Sequence, residues 1–166
     1  MTTTTSILPL KEGSSGYPVT VIQEFLKTLK FYSGAIDGIF GPQTKAAVIK
    51  FQQNQKLTAD GIVGPKTAIA LDNAVWVSQR KTIQEGSKGD EVQMLQELFN
   101  NYYKDVNADG NFGPKTKAVV IDFQKARGLK ADGIVGPATW ASLYTLVTHD
   151  ISQEERIEQI FSEGAC

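Results

Sequence analysis

The sequence lacks the residue types from which most reactive centres are built. Its 166 residues include one cysteine, Cys166, and one histidine, His149. A lone cysteine excludes an internal disulfide framework and a cysteine-rich metal site, and a lone imidazole excludes a zinc centre with several histidines. The nucleophile pattern G-x-S-x-G is absent, and a Cys–His pair would have to form in the C-terminal tail. We therefore expect no enzyme activity, no catalytic residue, no cofactor and no metal.

An excess of positive charge and long apolar runs are missing as well. Seventeen Lys and Arg against 18 Asp and Glu give a net charge of -1, without the basic clusters that grip phosphates, so we expect no nucleic-acid partner. No run of 18 apolar residues occurs, so we expect no membrane insertion. The start, "MTTTTSILPL", has no readable secretory signal. The location is therefore left open between the cytoplasm and export by a route that the sequence does not encode.

One phrase of eight residues is present four times. The skeleton Asp-Gly-x-(Phe/Val)-Gly-Pro-x-Thr begins at Asp37, Asp60, Asp109 and Asp132. Asp-Gly is a turn signal, the next apolar residue can anchor the turn in a core, and Gly-Pro suits the start of a helix. The threonine falls in the first helical turn, where we expect its hydroxyl to meet unpaired backbone N–H groups. The phrase therefore predicts a turn followed by a helix.

The repeats show that the chain is a duplication. Residues 37–71 and 109–143 share 22 identities in 35 positions at a shift of 72, and the segments upstream match at a shift of 73. We predict one unit at 8–72 and a second at 82–147, joined by a connector at 73–81 and followed by a tail helix at 148–166. Trp76, in the connector, is expected either to separate the two units or to cover one core.

The apolar spacing predicts three helices in each unit and an all-α fold. The first helix begins near Pro18 in unit one and near Asp90 in unit two. The other helices begin at the Gly-Pro pairs, where proline loses no hydrogen bond. The tail sequence "ISQEERIEQIF" carries a capping box from Ser152 to Glu155 and so predicts a short seventh helix. We expect this helix either to dock on the second unit or to bind a partner.

The phrase differs from two known kinds of ligand-binding loop. It lacks the preceding strand and the G-x-x-x-x-G-K-[ST] pattern of a phosphate-binding loop. Residues 104–113, "KDVNADGNFG", resemble the start of a calcium loop, but position 12 would be Thr116, which cannot supply the bidentate carboxylate. The phrase is therefore interpreted as structural.

The order G-x-x-V-x-x-(I/L)-Q, D-G-x-F-G-P-x-T, F-Q, D-G-I-V-G-P-x-T resembles the three-helix peptidoglycan-binding domain family over most of 10–71 and 83–143. Such domains are appended to bacterial cell-wall hydrolases. The second unit matches the pattern more closely, with Gly128 and Trp140 where the first has Lys56 and Ala68. The resemblance implies non-catalytic binding of bacterial peptidoglycan, with a cell-wall hydrolase or another protein on a separate chain as a further partner. The alternative is a protein–protein adaptor in a larger, phage-derived particle.

Ligand contacts are expected beside the first turn of each unit. Aromatic rings would meet sugar faces, lysines would meet carboxylates of the peptide stem, and the aspartates would be turn formers first. The alternative for the aromatic residues is core packing, and for the lysines a solvated helix face. The candidate ligand-binding residues are Phe31, Tyr32, Asp37 and Lys45 in the first unit, and Tyr102, Tyr103, Asp109, Lys117 and Trp140 in the second.

Overall fold

The computed structural model describes residues 7–162. The first six residues, on which the signal-peptide argument partly rests, and Cys166 lie outside this range. Within it the chain is all-α, as predicted, and β-structure is limited to isolated bridges. The helices of the described part are α1 (Tyr17–Thr28), α2 (Pro42–Asn54), α3 (Pro65–Ser78), α4 (Asp90–Tyr102), α5 (Pro114–Ala126), α6 (Pro137–Val147) and α7 (Gln153–Ser162). In this range no helix combines the length and apolar character needed to cross a membrane.

The helix starts follow the local sequence. Helices α2, α3, α5 and α6 each begin at the proline of a Gly-Pro pair, where the ring presets the helical φ angle. The predicted connector is mostly helical, because α3 continues to Ser78. Contacts divide the described residues into unit one (7–75 with 151–162) and unit two (76–150), so the boundary falls inside the predicted connector.

Unit one includes the tail helix, which was expected on the second unit or on a partner. Ile160 and Phe161 of α7 are buried in the core of unit one, and Ile157 packs against it. Arg156 forms an ion pair with Asp72 at the end of the same core. The capping box is confirmed, since Ser152 Oγ accepts from Glu155 N at 3.2 Å and Ser152 N donates to Glu155 Oε2 at 3.1 Å. The docking expectation was wrong because an apolar stripe predicts burial without identifying the surface that buries it.

Unit two contains the two tryptophans. Trp140 is 1% exposed, and its Nε1 donates to the carbonyl of Lys81 at 2.9 Å. Trp76 packs against Trp140 and Tyr144 with ring centroids 5.8 and 5.4 Å apart. Arg80 covers the Trp76 ring at 4.5 Å. Trp76 therefore covers the core of unit two, which was one of its two expected roles.

Both turns of a unit form backbone hydrogen bonds with the segment that precedes the first helix. In unit one, Leu10 and Val63 exchange backbone hydrogen bonds of 3.0 and 2.8 Å, and Phe40 N donates to Ser14 O at 2.9 Å. In unit two, Ile83 pairs with Val135 in the same manner. The four apolar anchors of the phrases are at most 2% exposed, which confirms their predicted burial: Phe40, Val63, Phe112 and Val135.

The two units differ in the residue that takes a left-handed backbone conformation after the second helix. Gly128 follows α5 with φ +66°, and Lys56 occupies the equivalent position after α2 with φ +56°. A left-handed conformation costs a residue with a Cβ roughly 1–2 kcal/mol. Unit one therefore carries a strain that unit two avoids.

We predict that Lys56→Gly raises the free energy of unfolding of unit one by about 1 kcal/mol, since glycine relieves the strain but loses some of the gain to its freer unfolded chain. Native-state amide hydrogen exchange of α1 and α2 measures the change. Lys56→Ala is the matched control, because it removes the charge and keeps the strained φ. Equal stability of the glycine and alanine variants would contradict the backbone explanation.

Candidate functional site

A buried glutamine lies beneath each turn phrase. In unit one Gln52, on α2, accepts from Gly61 N through Oε1 at 2.9 Å. Its Nε2 faces Asp60 Oδ1 at 3.0 Å, the carbonyl of Ile62 at 2.9 Å and Thr67 Oγ1 at 3.2 Å. Two amide hydrogens are thus shared among three acceptors. The carboxamide fixes the whole turn from beneath, and we call this arrangement the glutamine latch.

The latch recurs at the other three phrases. Gln23, Gln96 and Gln124 make the corresponding contacts to the turns that begin at Asp37, Asp109 and Asp132. The four glutamines are at most 1% exposed. Sequence reasoning included these residues in the pattern but gave them no role. A usable signal was present, since each glutamine precedes its aspartate by 13 or 14 residues in the first turn and by 8 in the second.

The threonines of the phrases face the core and not the helix terminus. Each of the four is at most 6% exposed, and each hydroxyl oxygen accepts from its glutamine at 3.1 or 3.2 Å. The N-caps of α2, α5 and α6 have no side-chain hydrogen bond. The expectation that these hydroxyls meet the first backbone N–H groups was therefore wrong, because each hydroxyl accepts from the glutamine of its latch instead.

Hydrogen bonds lower the pKa of all four turn aspartates below the ordinary value of 3.8. The Gln23 amide is the largest cause at Asp37. At Asp60, Asp109 and Asp132 the largest cause is the backbone N–H two residues further on. A carboxylate that accepts such bonds is held in its charged form, so each turn is built for an ionised aspartate.

An open depression lies beside the second turn of each unit. In unit one its volume is about 570 Å³, and in unit two the equivalent depression measures about 250 Å³. Both have an apolar rim made by the leucine three residues past the end of the second helix and the isoleucine of the turn, which are Leu57 and Ile62 in unit one. Leu129 and Ile134 repeat this rim in unit two. The same surface feature is therefore formed twice by equivalent residues.

The predicted lysines bridge elements within each unit. Lys45 Nζ lies 2.9 Å from Glu12, and Lys117 Nζ lies 2.7 Å from Glu85. Their stems also cover the second turn, because a Cβ added at Gly61 or Gly133 would lie 2.9 Å from the lysine Cγ. A role of these lysines in ligand binding stays a prediction.

The predicted aromatic residues differ in exposure. Tyr32 is 8% exposed and donates through its hydroxyl to the carbonyl of Ala35 at 2.8 Å. Phe31 stacks edge-on against Phe51 at 5.6 Å, and Tyr103 packs against Phe123 at 5.4 Å. Tyr102 is 41% exposed, whereas Trp140 is enclosed in its core. The rings are thus largely engaged in packing, and Tyr102 offers the most surface to a ligand.

In the segment 104–113, which resembles the start of a calcium loop, N–H groups of the segment itself donate to the Asp109 carboxylate. Asp109 Oδ1 accepts from Asn111 N at 2.9 Å, and Oδ2 accepts from Asn107 Nδ2 at 3.0 Å. Across residues 7–162, no three His, Cys, Asp or Glu side chains lie together in a group that could hold a metal ion. The Asp109 and Asn107 side chains thus serve the turn.

The fold and the latches define a class of protein: three-helix modules in tandem, each with two glutamine-fastened turns. The chain belongs to the family described as "Putative peptidoglycan binding domain", whose sequence model matches residues 15–71 and 88–143. This confirms the resemblance and both of its copies. Peptidoglycan binding is the function that the family supports.

Three relatives extend the comparison to whole proteins. The chain is 35% identical to a probable N-acetylmuramoyl-L-alanine amidase of Bacillus licheniformis, over 88% of this chain and 47% of the relative. It is 37% identical to the N-acetylmuramoyl-L-alanine amidase CwlM of Mycobacterium tuberculosis, over 72% of this chain and 32% of the relative. It is 47% identical to a zinc D-Ala-D-Ala carboxypeptidase of Streptomyces albus G, over 42% of this chain and 28% of the relative. The chain thus spans about half, or less, of the length of these relatives.

These relatives contradict the expectation that the chain is not an enzyme. Two relatives that match over most of the chain are named amidases. The expectation rested on the lack of catalytic motifs in these 166 residues. A binding module carries no such motif even in an enzyme, so that lack did not bear on the activity of a whole protein.

We predict that Gln124→Leu lowers the free energy of unfolding of unit two by about 2–4 kcal/mol, because it leaves the buried Gly133 N–H without its acceptor and removes the amide donor to the Ile134 carbonyl and the Thr139 hydroxyl. Urea unfolding followed by tryptophan fluorescence reports on this unit, which contains both tryptophans. The exposed Gln93→Leu is the control and is expected to change stability by less than about 0.5 kcal/mol. A similarly small loss for Gln124→Leu would refute the latch.

The lowered pKa values predict an acid-sensitive fold. A depressed folded pKa stabilises the protein above the unfolded value, and that stability is lost as the pH falls through the folded pKa. We expect the urea midpoint of unit two to fall as the pH drops below 3.8. In the Asp109→Asn/Asp132→Asn double variant this part of the fall should disappear, because each asparagine keeps the Oδ1 acceptor without titrating. If the urea midpoint of that variant falls at low pH as much as that of the wild type, these two carboxylates do not cause the loss of stability.

Proposed function

We propose that the chain binds bacterial peptidoglycan through the two equivalent depressions and serves enzymatic cell-wall hydrolysis by holding an amidase activity on its substrate. The observation that carries the proposal is the recurrence of the depression. Gln52, Asp60 and Thr67 line it in unit one, and Gln124, Asp132 and Thr139 line it in unit two. The family supplies the ligand, and the names of the amidase relatives support the hydrolytic context.

The chemistry of the depression suits a ligand that is partly apolar and partly polar. The floor residues are already committed to the latch, so they shape the surface more than they bind. The rim offers the exposed isoleucine of the turn, which is 37% exposed at Ile62 and 36% at Ile134. An apolar rim beside lysine and backbone groups suits a sugar face with an attached peptide, because ligand sites combine apolar walls with a few polar groups that orient the ligand.

Two such surfaces in one chain strengthen the attachment. When both depressions bind the same polymer, the second contact forms at a high effective concentration, and the apparent affinity exceeds that of either alone. A hydrolytic activity joined to these modules would be kept near fresh bonds of an insoluble substrate. The activity itself is proposed for the whole protein, by similarity to the amidases.

We predict that purified bacterial sacculi retain the chain in a sedimentation assay and that the Ile62→Asn/Ile134→Asn double variant is retained at least about fivefold less, because it loses the apolar rim of both depressions. The substitution is compatible with the turn, since Asn111 occupies this position in the first turn of unit two. The fraction that sediments with the sacculi is measured by quantitative gel electrophoresis.

The matched control is Ile39→Asn, which makes the same change in the first turn of unit one. Ile39 is 57% exposed and lies outside the residues that line the two depressions. It should leave retention unchanged. Retention of the wild-type chain no better than that of albumin would refute the proposed function, and equal losses in both variants would refute the location of the site.

A further inference from the structure

The two depressions differ in the charges on their rims. Three equivalent positions are occupied differently: Lys56, Thr58 and Lys66 in unit one correspond to Gly128, Lys130 and Ala138 in unit two. Two lysines therefore line the depression of unit one, where one lysine lines that of unit two. The surrounding Gln, Asp, Ile, Pro and Thr positions are the same in both. The two depressions thus differ mainly in the charge of the residues that line them.

The single lysine of unit two is partly neutralised. Lys130 Nζ lies 3.4 Å from Asp132 Oδ2, within the same depression. Among residues 7–162, neither Lys56 nor Lys66 forms an ion pair. The rim of unit one therefore carries an excess of positive charge over Asp60, whereas Lys130 and Asp132 balance one another. An anionic group would be attracted to the first depression and not to the second.

The tail helix contributes to this difference. Gln153, the first residue of α7, is among the residues that line the depression of unit one. The lining of the unit-two depression comes from residues 124–139 alone. An amide donor beside two ammonium groups is a suitable set for the two oxygens of a carboxylate. Unit one thus has a lining residue from a segment far away in sequence, and the depression of unit two has no counterpart among its lining residues.

We infer that the depression of unit one is a carboxylate-selective subsite that takes the anionic end of a peptide stem, while that of unit two takes an uncharged part of the same polymer. The inference rests on the proposed function and deepens it. Lys66 supplies the principal charge, because it stands in the first turn of α3, where the helix dipole also favours an anion, and unit two has alanine there. Gln153 positions the second carboxylate oxygen. The two modules therefore bind different chemical groups of one ligand. The duplication thus adds selectivity as well as affinity.

The test is an NMR titration of the full chain with two peptides, N-acetyl-D-Ala-D-Ala and its C-terminal amide, which differ only in the carboxylate. Shifts of the Gly61 and Thr67 amides report on unit one, and those of Gly133 and Thr139 report on unit two. We expect unit one to prefer the acid by about two- to fivefold, as for an exposed ion pair, and unit two to show no preference. High salt should reduce the preference, because these charges are exposed.

Reciprocal variants isolate the charge. Lys66→Ala should abolish the preference in unit one, and Ala138→Lys should create one in unit two. Lys50→Ala removes an exposed lysine of α2 outside the depression and should change nothing. Gln153→Ala should weaken binding of the acid at unit one only. Each substituted side chain is exposed, so the variants are expected to fold.

Three outcomes would overturn the inference. The first is equal binding of acid and amide at unit one, and the second is a preference that survives Lys66→Ala. The third is tighter binding of glycerol 3-phosphate than of the acid peptide at unit one, which would assign the rim to a phosphate-bearing polymer. If sacculi still retain the chain in any of these cases, the proposed function stands and only the carboxylate assignment fails. Loss of retention on sacculi would instead refute the proposed function itself.

Discussion

The buried glutamine beneath each turn is the interaction on which the rest of the structure depends. A carboxamide can donate and accept at once, so one side chain satisfies the turn's buried glycine N–H, a backbone carbonyl, a carboxylate and a hydroxyl. No apolar residue could hold these groups without leaving several of them unpaired in the core. The latch therefore fixes where each Asp-Gly turn lies, and the turn in turn fixes the start of the helix that follows.

The surface follows from that internal arrangement. Once Gln52 holds the second turn of unit one, Val63 enters the core and bonds to Leu10, while Ile62 remains outside on the rim of the depression. Adjacent residues of the turn thus point to opposite sides, one buried in the core and one exposed at the rim. A unit of this size buries a limited core, and buried hydrogen bonds give it a specific turn geometry that packing alone would not. The phrase thus shapes the depression that is proposed as the binding surface.

Much of this could be predicted from local chemistry. The duplication, the Gly-Pro helix starts, the burial of the anchor residues and the capping box at Ser152 all depend on near neighbours in sequence, and the structure confirms them. The features that were missed depend on distant contacts. An apolar stripe on α7 fits any apolar surface, so its docking on unit one was not readable. The role of Gln52 and the inward rotation of Thr67 required the fold that brings them together, and the enzyme context lies in relatives that extend beyond this chain.

The proposed ligand-binding site lies at the second turn of each unit and not at the aromatic residues beside the first. A crystal structure of the chain with a soluble glycan–peptide fragment tests this most directly. The account predicts that the fragment lies in the depressions rimmed by Ile62 and Ile134, with a carboxylate beside Lys66. A fragment bound instead over Tyr102 and Tyr103, with both depressions empty, would contradict it.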